Sequence, residues 1–203
     1  MHNRLLIPDG DMLIHAGDFT GNGSLEHLIH FADWLKELPH KHKIVIAGNH
    51  DAIAESNTEL THHILAKAGV IYLQDESINI NGLNFYGSPW SPAFYDWHFM
   101  ADRGIDMAKK WSKIPDDTDV LITHSPCYSI LDNVHGKSVG CEELSKVVSK
   151  IRPKAHICGH IHEGYGVFES CCGSDKKTIF INASTCNGDY VPINKPIEIE
   201  LNE

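Results

Sequence analysis

The stretch Lys43-Ile44-Val45-Ile46-Ala47-Gly48-Asn49-His50-Asp51 decides the fold class. Four consecutive branched or small apolar residues stop abruptly at glycine, and polar, chemistry-capable residues follow at once. An apolar run this short, rich in β-branched side chains and closed by a turn residue, reads as a strand buried on both faces. Three other segments repeat the pattern. Met12-Leu13-Ile14-His15-Ala16 runs into Gly17-Asp18, Val120-Leu121-Ile122-Thr123 into His124, and His156-Ile157-Cys158 into Gly159-His160-Ile161-His162.

Between these strands the spacing changes to that of helices. Apolar residues recur helically from Leu25 to Leu38, behind a Ser24 N-cap and ahead of Pro39. Further helices are predicted over Glu59–Ala68, Arg103–Trp111 and Cys141–Ile151. Short strands are predicted at Val70–Leu73 and Ile78–Ile80, then, after an Asn81-Gly82 hairpin turn, at Leu83–Tyr86. Thr178–Asn182 and Ile197–Leu201 complete the strands. Helices and strands alternate early and strands cluster late, which predicts an α/β fold with a partly antiparallel sheet. No G-x-G-x-x-G or P-loop pattern occurs, so dinucleotide and P-loop chemistry lose their main support.

At 203 residues, with no low-complexity linker or internal repeat, the chain reads as one domain, residues 1–203. Its formal charge of −10 argues against a nucleic-acid polymer as partner. No apolar run reaches the roughly 18 residues of a membrane span. Six cysteines (127, 141, 158, 171, 172 and 186) form no C-x-x-C pair and follow no secretion signal, so they are expected to be reduced, mostly buried thiols in a cytoplasmic protein.

Residues just past the carboxyl ends of strands in layered α/β folds line the ligand crevice. Asp18, Asn49, His50, His124, His160 and His162 are therefore expected to converge. Asp, Asn and His without thiolates suit a divalent ion such as Mn²⁺, Fe²⁺, Zn²⁺ or Ni²⁺, and a paired-ion site of this kind hydrolyses phosphate esters. Each residue alone is commonly a turn or a packed histidine. Their joint order at strand exits carries the metal reading.

That order resembles the calcineurin-like metallophosphoesterase superfamily, whose motifs run D-x-H, G-D-x-x, G-N-H-[DE], H and G-H-x-H. Gly17-Asp18-Phe19-Thr20, Lys43 to His50, Ile161-His162-Glu163-Gly164-Tyr165-Gly166 and Ile181-Asn182-Ala183-Ser184-Thr185-Cys186 are similar to its metallophosphoesterase-domain-containing (brain 239-like) subfamily. The resemblance implies a four-layer αββα sandwich of two mixed sheets. It implies that Asp18 bridges two ions, that Asn49, His124 and His160 join it on one of them, and that His162 binds the other. His50 would serve as general acid or phosphate stabiliser. The activity implied is phosphodiester hydrolysis, with small phosphodiesters or cyclic nucleotides as substrates.

The D-x-H motif is incomplete. Relatives read Asp-x-His-Asn-Arg where this chain reads Met1-His2-Asn3-Arg4, so His2 takes the place of the motif's histidine and a carboxylate and the first core strand are expected to be missing. An internal start, a natural short form with one weakened metal site, or a ligand from elsewhere would each account for it. The alternative function is accordingly a nucleotide- or metal-binding protein with weak or lost catalysis; a scaffold in which these residues are only turns is the third reading. Arg103 is a weak candidate phosphate contact, beside Asn49 and His50. The aromatic stretch from Ser88 to Phe99 is expected to be a packed surface loop, with a base-stacking wall as its functional alternative.

Overall fold

A computed structural model describes residues 2–170 and 177–201. Its strands are β1 (Met12–Ala16), β2 (His42–Ile46), β3 (Ile71–Tyr72), β4 (Glu76–Ile80), β5 (Leu83–Ser88), β6 (Ser91–Pro92), β7 (Met100–Ala101), β8 (Val120–Thr123), β9 (Asn133–Val134), β10 (Lys137–Ser138), β11 (Ala155–Cys158), β12 (Gly166–Ser170) and β13 (Thr178–Asn182). Its α-helices are α1 (Leu25–Lys36), α2 (Ala52–Ser56), α3 (Thr58–Lys67), α4 (Ile105–Trp111) and α5 (Glu142–Ile151).

Two sheets carry the fold. The smaller has the order β1-β2-β3, and the larger β12-β13-β11-β8-β5-β4. The larger sheet is mixed: β13, β11, β8 and β5 run parallel, while β12 and β4 pair antiparallel at its edges. The described strands of the smaller sheet are all parallel, because each is reached through a helical crossover rather than a hairpin. β1 stands at one edge of that sheet.

Alternation along the central strands explains why they read as unbroken apolar runs. Ile44 and Ile46 of β2 face Val120, Ile122, Ile157 and Ile181 in a core between the sheets. Val45 points the other way and joins Leu28, Phe31 and Leu35 of α1 and Leu65 of α3. Leu121 and Phe180 likewise leave the larger sheet to meet Met107 and Trp111 of α4 and Leu144 and Val148 of α5. Each sheet thus has the other on its inner face and a helix pair on its outer one.

The expected helices are present with small changes at their ends. Ser24 caps α1, its hydroxyl accepting the His27 N–H at 3.3 Å. The helix expected from Arg103 begins at Ile105, because Gly104 sits at φ 81°, outside helical space. Ile197–Leu201 forms no ladder. Ile197, Ile199 and Leu201 still pack on the core between the sheets, so their alternation records one buried face and not strand pairing. Cys127, Cys141, Cys158 and Cys186 are free, the first three buried; Cys171 and Cys172 lie outside the described residues. Among the described residues, no helix is long and apolar enough to cross a membrane.

Candidate metal centre

β1, β2, β8 and β11 end side by side, and the loops after them converge. Asp18, His124 and His160 each present a ligand atom within 4.8 Å of the others. Asn49 joins them, its Oδ1 lying 3.0 Å from His124 Nε2, and Asp18 Oδ2 lies 3.3 Å from the same nitrogen. Two of the participants hold unusual backbones: Asp18 has φ 59° and His160 φ 66°. Left-handed geometry at non-glycine residues costs about 1 kcal/mol or more and is typical of sites where function fixes the conformation.

Glycines permit the crowding. A Cβ on Gly48 would collide with Asp18 Oδ1 and His124 Cε1, and one on Gly17 would come 2.6 Å from the Ala47 carbonyl oxygen. Backbone contacts then set the carboxylate. Asp18 Oδ1 accepts the His50 N–H at 2.9 Å.

His124 provides the test of whether a cation belongs here. Its Nδ1 is 2.8 Å from the Ala16 carbonyl oxygen, which can only accept, so Nδ1 carries the hydrogen. In the neutral ring Nε2 then bears a lone pair, aimed at two further acceptors, Asn49 Oδ1 and Asp18 Oδ2. Three converging lone pairs repel unless a proton or a metal ion stands among them. A histidine that donates its second nitrogen to a backbone carbonyl is the usual arrangement of a metal ligand, and two imidazoles with a carboxylate and an amide oxygen suit a borderline divalent ion. The residues present fit such an ion.

The electrostatics point the same way. Burial works to raise the Asp18 carboxyl, but the His124 ring and the His50 N–H hold it well below the usual carboxylate range. Burial lowers His124, and the Asp18 carboxylate outweighs it to leave the imidazole raised. Burial, followed by the charge of His124, pushes His160 down to about 3, so it is an unprotonated donor at neutral pH.

The other sequence candidates fall around this group. His162 donates through Nδ1 to the Asn187 carbonyl at 2.9 Å, which leaves Nε2 as its lone-pair nitrogen. The His50 ring lies 4.3 Å from that of Trp97, at the rim. His2 is not brought to the group. It sits in a 3₁₀ turn (His2–Arg4) against α1, with Nε2 3.1 Å from His30 Nδ1 and its ring 4.9 Å from Trp34, held there by aromatic packing. Arg103 is engaged elsewhere as well, with Glu142 and the carbonyls of Val139 and Gly140.

Two residues, Asp51 and Tyr190, escaped the sequence reading. Asp51, read only as the end of Gly-Asn-His-Asp, is fully buried and accepts from the N–H groups of Asp18, Phe19, Thr20 and Gly48 and from the Thr20 hydroxyl. Burial and then the Asp18 charge push its carboxyl up to about 7, against the pull of these donors. Phe94 and Tyr190 also reach the centre, their rings 5.5 Å from His160 and 5.1 Å from His162.

The chain is similar to several known proteins. The human metallophosphoesterase domain-containing protein 1 is 41% identical over 221 residues, covering 96% of this chain; the chain spans 66% of that relative's length. A probable glycerophosphodiester phosphodiesterase of Arcobacter nitrofigilis is 28% identical over 170 residues, 80% of this chain and 60% of the relative. The solved structure of TT1561 from Thermus thermophilus shares the fold, with a TM-score of 0.53 at 13% identity over 86% of this chain and 76% of its own. The family model for calcineurin-like phosphoesterases matches residues 1–164, which contain all the strand-exit residues that converge on His124, and the chain belongs to that family.

Proposed function

We propose that the chain is a metal-dependent phosphodiesterase that hydrolyses small phosphodiesters, such as cyclic nucleotides, and that its layers are the four-layer αββα sandwich. The observation that carries the reading is the convergence of His124 Nε2, Asn49 Oδ1 and Asp18 Oδ2 with His160 beside them. Asp18, Asn49, His124 and His160 would hold the ion, with His162 next to it. A divalent ion at this place lowers the pKa of a water and neutralises charge on phosphoryl oxygens. Asn49 orients its amide oxygen inward. His50, on the rim, would give a proton to the departing alkoxide oxygen or stabilise its charge. The similarity to a probable glycerophosphodiester phosphodiesterase supports the diester class.

The experiment is hydrolysis of bis(p-nitrophenyl) phosphate with Mn²⁺, in the native chain and in His124→Ala. Loss of turnover in the variant supports the reading, and intact turnover ends it. A second reading, a nucleotide- or metal-binding protein with weak catalysis, is favoured by the position of His2, which leaves His162 with few partners for a second ion. Nucleotide binding with negligible turnover across several metals would select it.

A further inference from the structure

Three exposed aromatic rings stand around the histidines of the centre, and they come from loops far apart in the chain. Phe94 lies 5.5 Å from His160, Trp97 4.3 Å from His50, and Tyr190 5.1 Å from His162 and 6.3 Å from His50, all edge-on. They are 52%, 40% and 55% exposed, whereas Phe99, at the end of the same aromatic stretch, is 1% exposed. Only part of the Ser88–Phe99 stretch therefore serves packing. The rest lays large apolar rings open to water beside polar side chains, which folding alone does not favour.

Both loops are fastened in place. The first is closed by Ser91 N–H to Phe99 O and Ala93 N–H to Ala101 O, each 2.9 Å. Glu55 accepts from the Phe99 N–H at 3.1 Å and pairs with the His98 ring at 2.9 Å. In the second loop Asn187 Oδ1 accepts the N–H groups of Asp189 and Val191, while the Asn187 carbonyl accepts from His162. Tyr190 itself has φ 59°. A bulky residue in the left-handed region is strained, and here the strain holds an exposed ring between His50 and His162.

We propose that Phe94, Trp97 and Tyr190 form a stacking collar for a planar aromatic group carried by the phosphoester, a nucleobase, with the phosphate directed to Asp18, His124 and His160. The placing of the phosphate rests on the phosphodiesterase reading. A base suits the collar because it has an apolar face for the rings and a polar edge that stays in water; an alkyl chain would need a closed apolar groove. Every base has a π-face, so stacking on these rings tolerates any of them. The collar therefore separates substrates with a ring from those without, and not one base from another.

The test uses Phe94→Ala, Trp97→Ala and Tyr190→Ala, with Trp97→Phe as the conservative control, all with Mn²⁺. KM for 2′,3′- and 3′,5′-cyclic AMP should rise about five- to fiftyfold in the alanine variants. KM for glycerophosphoethanolamine, which has no ring, should stay within about twofold, and Trp97→Phe should retain most of the native value. Equal changes on both substrates, or none on either, overturn the collar. Equilibrium binding decides it separately. The native chain should bind AMP about tenfold more tightly than ribose 5-phosphate, and Trp97→Ala should lose that preference. Equal binding of the two by the native chain overturns the collar. If no phosphodiester is turned over, the phosphodiesterase reading fails, and the binding comparison still decides the collar.

Discussion

The Asp51 carboxylate lies against the backbone of Asp18, its Oδ2 accepting the Asp18 N–H at 2.9 Å. The same oxygen takes the Gly48 N–H at 2.8 Å, and Oδ1 takes the Thr20 N–H and hydroxyl, each at 2.8 Å. One side chain thereby ties the loop after β1 to the loop after β2 and holds Asp18 in its left-handed conformation. Asp51→Ala would strand several buried N–H groups. At about 1–3 kcal/mol for each buried donor left without a partner, the expected loss is about 3 kcal/mol or more, seen as a lower urea midpoint. Asp51→Asn keeps one oxygen but turns an NH₂ toward other donors, so it should fall between. Both should lower the Mn²⁺ content found by elemental analysis. A variant with native midpoint and native metal content would contradict this.

Gly48 gives a sharper geometric prediction. An added methyl would overlap Asp18 Oδ1 and His124 Cε1 and come 2.7 Å from the Asp18 backbone nitrogen. These atoms are fixed by backbone and buried contacts, so they cannot retreat cheaply. Gly48→Ala is expected to lower stability by about 1–3 kcal/mol, as overpacking of a tight interior does, and to reduce metal content. Gly82→Ala is the control: nothing lies within 4 Å of its Cβ, though its φ of 84° carries a backbone cost. If both substitutions lower stability but only Gly48→Ala loses metal, the effect at Gly48 belongs to the site.

The three lone pairs that meet at His124 imply that the folded chain gains from a cation. A ligand that binds only the native state raises stability by RT ln(1 + [L]/Kd), about 2.7 kcal/mol at a hundredfold excess over Kd. Mn²⁺ should therefore raise Tm, and a chelator should reverse it. Asp18→Asn and His124→Ala should each remove most of the rise. His50→Ala should keep the rise, since its ring stands at the rim, and lower kcat by about 10²–10⁴-fold. A Tm that ignores Mn²⁺ in the native chain would argue against the ion.

Much of this was legible in the sequence because burial on both faces leaves a signature. β2 and β8 read as continuous apolar runs since each sends alternate residues to the inter-sheet core and to the helices. The residues after them could be grouped because strand exits share one edge. Shorter or one-sided features were harder to read. α2 has five residues, too few for a helical period to show. β12 exposes Val167 and Phe168, so no buried face marks it as a strand. The role of Asp51 depends on donors up to 33 residues away, and the meeting of Trp97 and Tyr190 at His50 depends on how two loops fold back. His2 was placed by motif resemblance; in the fold its partners are His30 and Trp34.

A last prediction concerns pH and comes from outside the metal centre. His156 on β11 is 1% exposed. The Thr123 hydroxyl donates to the Ser125 carbonyl at 2.7 Å, so its oxygen accepts from His156 Nε2–H at 2.8 Å. Nδ1 is left as the acceptor, facing the Cys127 thiol at 3.7 Å. The neutral ring is satisfied and a second proton has nowhere to go, and burial accordingly holds this imidazole down to about 3. The unfolded histidine titrates near 6.5. Below that value the unfolded chain takes up a proton that the folded chain refuses. The stabilising contribution is thus complete above about pH 6.5 and is lost as pH falls toward 3. One histidine accounts for at most about 1.4 kcal/mol per pH unit in that window. His15, which burial holds down to about 4, acts in the same direction. Urea unfolding in chelator, from pH 7 to 4.5, should therefore show stability falling with acid. In His156→Leu the slope should be shallower by up to one proton, and parallel slopes in the two proteins would show that His156 is not the group responsible.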